Sequence, residues 1–210
     1  MNLEEIRKRI LEDDDFILDE MKKIQVLFRM KRVIRYHHTR EEDIDTESVA
    51  EHVYGMLVLV DYFLQLEQTD QWDLRSIQLM SLYHDIDEIL TGDRIGYLKT
   101  DADREKEYDA QIEVLKLLPD LLKEQATSYL LEYEQQTTIE SRFVKAIDKI
   151  EPLFHLINEN GKEICKQTNV TYEQSRSIKD KYVEEFPYIK RFNDVLSRFM
   201  LEEGYFRSEK

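Results

Sequence analysis

The sequence predicts an all-α fold, a single helical bundle of about 8–9 helices, and three observations predict it. The 210 residues include only 5 Gly and 3 Pro, too few turn-formers for a β-sandwich or barrel. Apolar residues make up 41% and recur at helical spacing, while 36% charged residues suit solvated outer faces. No Gly-rich phosphate loop of the doubly wound folds is present. The length favours one domain over residues 1–210, with segments 165–205 packing on the core or at a dimer interface.

Each element has its own signal. In residues 19–36, Met21, Ile24, Leu27, Phe28, Met30 and Ile34 fall at helical spacing. Residues 37–46 are polar and aperiodic and predict a loop. Thr46 or Ser48 can cap the next helix, which runs to about Leu66 and carries Val49, His52, Val53, Met56, Leu57 and Val60 on one face. After a break at 68–73, Asp73 caps a helix expected to continue through His84 and Asp85 to Thr91-Gly92. Residues 93–100 read as a loop. A charged helix follows over about 101–118, with DADREKEYD as its solvated face, and Pro119 stops it or starts the next. Helices over about 120–135 and 138–159 follow, with Asn160-Gly161 as a stop. Amphipathic segments over 171–184 and 188–203 complete the chain, and their aromatic residues close the core or form a dimer face.

Charge and composition exclude several classes. A net charge of −15 opposes nucleic-acid polymers and anionic membranes as partners. The single cysteine, Cys165, read as half-buried on a helix, rules out an internal disulfide and fits a reducing compartment. The charged start MNLEEIRKRI lacks an apolar signal core, and no stretch approaches the roughly 20 apolar residues of a spanning helix. The expected compartment is the cytoplasm.

The chemistry centres on the five histidines. His52 lies in an apolar helix face, and His84-Asp85 sits in the otherwise apolar LMSLYHDIDEIL. Asp148 flanks a buried stripe in VKAIDKIEPLF. Burying such carboxylates is costly unless a cation or donors compensate. One divalent cation held by His52, His84, Asp85 and Asp148 resolves all these misfits together, because two imidazoles and two carboxylates suit a first-row metal. His37-His38 reads as a solvated pair, and His155 as a packed, exposed or pocket-rim residue.

This ordered set resembles the HD-domain metal-dependent phosphohydrolases, and within them the YfbR-like 5′-deoxynucleotidases. The stretches that carry the resemblance are RMKRVIRY, TESVAEHVYGM, LYHDIDEILTGD and SRFVKAIDKIE, over about residues 28–155. The resemblance implies catalytic roles for Glu88 and Asp93 in EILTGD, with Arg35 on the substrate phosphate and Tyr36 against the deoxyribose. Lys99 matches a basic position of that branch, and Arg94 and Gly96 fall in the same substrate-binding stretch. Tyr36 stands where the branch commonly has Trp, and the loop to His52 is longer, which leaves Arg32 as the alternative phosphate contact. Surface pairing for Arg35, ordinary packing for Tyr36 and solvation for Lys99 stay open.

The implied reaction is hydrolysis of deoxyribonucleoside 5′-monophosphates by a metal-activated water. The implied cofactor is a divalent cation (Mn, Co, Fe, Mg or Zn), the substrate a small nucleotide, and the assembly a homodimer. The alternatives are another HD-type hydrolase of cyclic nucleotides, guanosine tetraphosphate or nucleoside triphosphates, or a non-catalytic ligand-binding scaffold.

Overall fold

The computed structural model describes residues 1–36, 46–67, 71–158 and 160–207. His37 and His38 lie outside the described residues. Helices α1 (Leu3–Glu12) and α2 (Asp14–Leu27) begin at the side-chain caps Asn2 and Asp13, and a 3₁₀ turn spans Phe28–Arg32. Then come α3 (Val49–Leu64), α4 (Leu74–Tyr83), α5 (Glu88–Thr91) and a 3₁₀ turn at Gly96–Leu98. The remaining helices are α6 (Asp101–Leu117), α7 (Asp120–Gln135), α8 (Ile139–Leu156), α9 (Gly161–Thr168), α10 (Tyr172–Ser177), α11 (Asp180–Val183) and α12 (Pro187–Glu202). The fold is all-α. Among the described residues no β-strand forms, only one isolated antiparallel bridge between Ile34 and Ser48.

Helix α8 is the hub. It packs on α3, α4, α7, α9, α11 and α12. Its Phe143, Val144, Ile147 and Ile150 are fully buried against Met56 and Phe63 of α3, Ile77 and Met80 of α4, and Phe186 and Ile189 near α12. A second cluster joins Val49 and Val53 of α3 to Tyr83, Ile86, Val114, Leu118 and Leu130. A third ties Leu153 to Cys165, Met200 and Tyr205. The C-terminal aromatics divide accordingly: Phe186 is buried, whereas Tyr188 and Phe199 remain exposed.

Ser48 caps α3 in a capping box with Glu51, and Thr100 does the same for α6 with Asp103. Asp103 is therefore buried, so the 101–109 run is not simply a solvated face. Five further expectations change. The helical spacing of 19–36 stops at Arg32, because residues 33–36 run beside 46–49: the Arg35 N–H donates to Glu47 O and the Val49 N–H to Val33 O, both at 3.0 Å. The helix begun at Asp73 ends at Tyr83, and beyond it the N–H groups of Ile86, Glu88 and Ile89 bond the carbonyl three residues back at 3.1–3.3 Å. Helix α8 ends at Leu156, ahead of the expected stop at Asn160-Gly161, and Gly161 opens α9 at a place where a Cβ would meet the Leu156 carbonyl oxygen at 1.6 Å. The 171–184 segment splits into α10 and α11, and Cys165 is buried rather than half-buried.

No described helix is long and apolar enough to cross a membrane. Phe143 packs edge-on against Trp72 and Phe186, with ring centroids 5.0 and 5.6 Å away. Phe143→Ala is expected to destabilise the protein by about 3–5 kcal/mol, read as a fall in the urea midpoint.

Candidate metal centre and active site

Three elements bring the polar groups together. Helix α3 supplies His52, which is fully buried. Its Nδ1 lies 2.7 Å from Glu151 Oε2, which fixes the tautomer that leaves Nε2 free. The turn after α4 supplies His84 and Asp85. The His84 Nδ1 bonds the Ser81 carbonyl at 3.0 Å, again leaving Nε2 free. Helix α8 supplies Asp148, whose Oδ1 is 3.6 Å from His52 Nε2. Asp85 Oδ2 lies 2.9 Å from His84 Nε2 and 3.9 Å from His52 Nε2.

Both Nε2 atoms are buried without a hydrogen-bond partner. Ligand atoms of His52, His84 and Asp85 all fall within 4.8 Å of one another. Two orphaned imidazole nitrogens facing carboxylates are the donor set of a divalent cation, so the residues present fit that group.

The surrounding charges are arranged for such a site. Burial opposes ionisation of Asp148, but Lys149, 2.9 Å from its Oδ2, holds its carboxyl well below the usual range. The Tyr133 hydroxyl donates to the same Oδ2 at 2.8 Å and in turn accepts from Lys145 Nζ at 3.1 Å. Burial also opposes a charge on His52, as does Arg35. Glu151 and Asp148 nevertheless push its imidazole up to about 9, so binding a cation there releases a proton. Glu88 is buried beside the pair. Burial, then the charges of Asp85 and Asp93, push its carboxyl well above the usual range, and its Oε2 has no partner.

Arg35 and Tyr36 form the opposite wall. The Arg35 Nη1 donates to Glu47 Oε1 at 2.6 Å and lies 3.5 Å from Glu151 Oε2, and its Nε is 3.6 Å from Asp93 Oδ1. Tyr36 adopts a φ of +65°, a conformation uncommon for any residue but glycine. Three contacts hold it there. Its N–H donates to Asp93 Oδ2 at 2.8 Å, its hydroxyl reaches Glu47 Oε1 at 3.4 Å, and its ring stacks on His155 at 5.9 Å between centroids. His155 thus packs against the Tyr36 ring without itself lining the cavity.

Arg35, Tyr36, His84, Asp85, Glu88, Asp93 and Asp148 line one cavity of about 520 Å³. Arg94, Gly96 and Lys99 line it too, but Arg94 is paired to Asp103 at 2.6 Å and Lys99 to Glu107 at 2.7 Å. Arg32 is not part of this wall.

Residues 27–190 match the model of the HD domain family. The chain belongs to the HD-domain family. Among characterised HD-domain relatives, it is 30% identical over 136 residues to 5′-deoxynucleotidase HDDC2 of Xenopus laevis, covering 64% of this chain and 66% of that one. It is 26% identical over 130 residues to the Homo sapiens protein of that name, covering 61% and 62%. The match thus spans just under two thirds of these relatives. Among solved structures, a predicted metal-dependent phosphohydrolase from Magnetospirillum magnetotacticum MS-1 shares the fold. Its TM-score is 0.75 at 22% identity, covering 91% of this chain and 98% of that one. An HD-domain phosphohydrolase from Listeria innocua gives 0.55 at 20%, covering 87% and 86%.

The sequence reading passed over the partners that orient this HD-domain site: Glu47, Tyr133, Lys145, Lys149 and Glu151. A signal existed for three of them. Lys145, Lys149 and Glu151 interrupt the apolar pattern around Asp148 on α8. Tyr133 and Glu47 gave none, since each reads as an ordinary residue of its segment.

Gly55 lies one turn beyond His52 on α3, and a Cβ there would stand 2.6 Å from Glu151 Oε1. Gly55→Val is expected to push Glu151 off His52 Nδ1 and weaken divalent-metal binding about 10- to 100-fold, read by metal titration.

Proposed function

We propose that this chain is a metal-dependent phosphomonoesterase acting on deoxyribonucleoside 5′-monophosphates. The observation that carries this reading is the pair of partnerless Nε2 atoms facing Asp85 and Asp148, set opposite a guanidinium in one cavity. The relatives named 5′-deoxynucleotidase support the substrate class. In this reading His52, His84, Asp85 and Asp148 hold the cation. When bound, a divalent ion supplies Lewis-acid activation of water and of the phosphoryl oxygens.

The chain's own residues do the rest. Arg35 faces the cavity with a buried Nε that makes no hydrogen bond, so it can donate to a phosphate oxygen. Burial and the charges of Asp85 and Asp93 favour the protonated form of Glu88, which is placed to hand its proton to the departing 5′ oxygen of the nucleoside. Asp93 acts as a positioning residue, since it holds both Arg35 and the strained backbone of Tyr36. The Tyr36 ring offers an apolar face for the sugar. Arg94, Gly96 and Lys99 form the outer rim, where their ion pairs make them weaker contacts. Glu151 and Tyr133 orient the metal-holding groups and exclude competing hydrogen bonds.

The same reading includes a homodimer, supported by the exposed stripe Tyr54, Val58 and Tyr62 on α3, and a cytoplasmic location, supported by the lone buried thiol. The acidic surface argues against a nucleic-acid polymer as substrate.

A phosphate-release assay over dAMP, dTMP and AMP, with manganese, cobalt or magnesium supplied, tests the activity. Release from the deoxynucleotides is expected, with Asp85→Ala abolishing it. The reading fails if no phosphate appears with any divalent metal. Replacing Glu88 by Gln is expected to lower kcat by about 10²- to 10⁴-fold with little change in melting temperature, as measured by steady-state kinetics and thermal unfolding.

A further inference from the structure

The cavity does not end at the candidate centre. It continues between α8 and the C-terminal helices, where Leu153, Ile164, Met200 and Phe206 make its wall largely apolar. The charges on this inner part are lysines. Lys179 is buried, and its Nζ bonds only Ser175, the hydroxyl at 2.9 Å and the carbonyl at 3.3 Å. Among the described residues it makes no ion pair. The carboxylate next to it in sequence, Asp180, is engaged by Arg176 and Asn193.

Lys149 lines the same cavity and uses one contact on Asp148. Lys145, also on the wall, spends its ammonium on the Tyr133 hydroxyl and ring face. A chain with a net charge of −15 has carboxylates to spare, yet sets none against Lys179. A buried ammonium lacking a counter-charge is costly, and an arriving anion removes that cost. The same strain shows in its acidity: burial, with the like charge of Lys149, pushes Lys179 down to about 8.

We infer that Lys179 and Lys149, with the Ser175 hydroxyl, form a second anion subsite that takes a phosphate group deeper in the cavity than the candidate metal centre. Its ligand class is a phosphate dianion, because two ammonium groups and a hydroxyl share one cavity wall and a phosphate offers charge and oxygens enough to meet them. Two sources carry that chemistry. One is free inorganic phosphate. The other is the second phosphate of a nucleotide whose 5′ group sits at the metal.

Calorimetric titration of inorganic phosphate into the metal-loaded protein tests the subsite directly and does not depend on which ester is hydrolysed. Wild type is expected to take two phosphates per chain, Lys179→Met one, and Lys179→Arg two. Lys179→Met removes a buried unpaired charge, so it is expected to melt no lower than wild type, which separates lost binding from lost fold. A single phosphate in wild type, or two in Lys179→Met, overturns the inference. A kinetic comparison then separates the sources. A deoxynucleoside 3′,5′-bisphosphate with a KM at least ~10-fold below that of the 5′-monophosphate, an advantage lost in Lys179→Met, assigns the subsite to the nucleotide. Equal KM values alongside two bound phosphates assign it to free phosphate. If neither nucleotide is hydrolysed, the proposed activity fails while the titration still reads the subsite.

Discussion

Six carboxylates and two imidazoles crowd around the candidate metal centre, and a buried site cannot hold that much negative charge without compensation. Glu47, Asp85, Glu88, Asp93, Asp148 and Glu151 are all wholly or largely withdrawn from solvent. Their mutual repulsion is met in three ways. Arg35 sits among Glu47, Asp93 and Glu151, Lys149 neutralises Asp148, and burial with the charges of Asp85 and Asp93 pushes the Glu88 carboxyl towards its neutral form. What is left over points at the gap between the two free imidazole nitrogens. The helical scaffold supports this arrangement: α8 is the hub because it must carry apolar residues on several sides and still present Lys145, Asp148 and Glu151 to one place.

The starts of some helices were legible because capping is local chemistry. Ser48 and Asp73 read as caps in the sequence, and both do cap through side-chain oxygens within three residues. The four residues read as one metal set were legible because each is a polar group in an apolar face, a misfit visible without coordinates. Less legible was anything settled by long-range partners. Residues 33–36 carry helical spacing but pair with 46–49, and α9 begins at Gly161, in close approach to Leu156. The orienting residues Tyr133 and Glu47 belong to the same class, since their meaning comes from what folds against them.

The change of helix type after Tyr83 falls within the site. In a continuous α-helix, His84 and Asp85 would diverge by about 100°. A turn with three residues per repeat would separate them by about 120°, so the tighter winding does not itself aim them at one point. Their side chains nevertheless converge, with Asp85 Oδ2 2.9 Å from His84 Nε2, while Ile86 stays anchored in the core. Glu88 opens the short α5 that follows and is buried there.

If Arg35 takes the phosphate as proposed, such crowding would govern turnover. Its guanidinium already has suitors on three sides, so an incoming ester would have to win it away from carboxylates rather than from water. Once the ester was cleaved, the same carboxylates would be there to take it back. Affinity for the spent anion would thereby be held down by competition built into the resting pocket, and the departure of product would be a return to the ground state rather than an added obstacle.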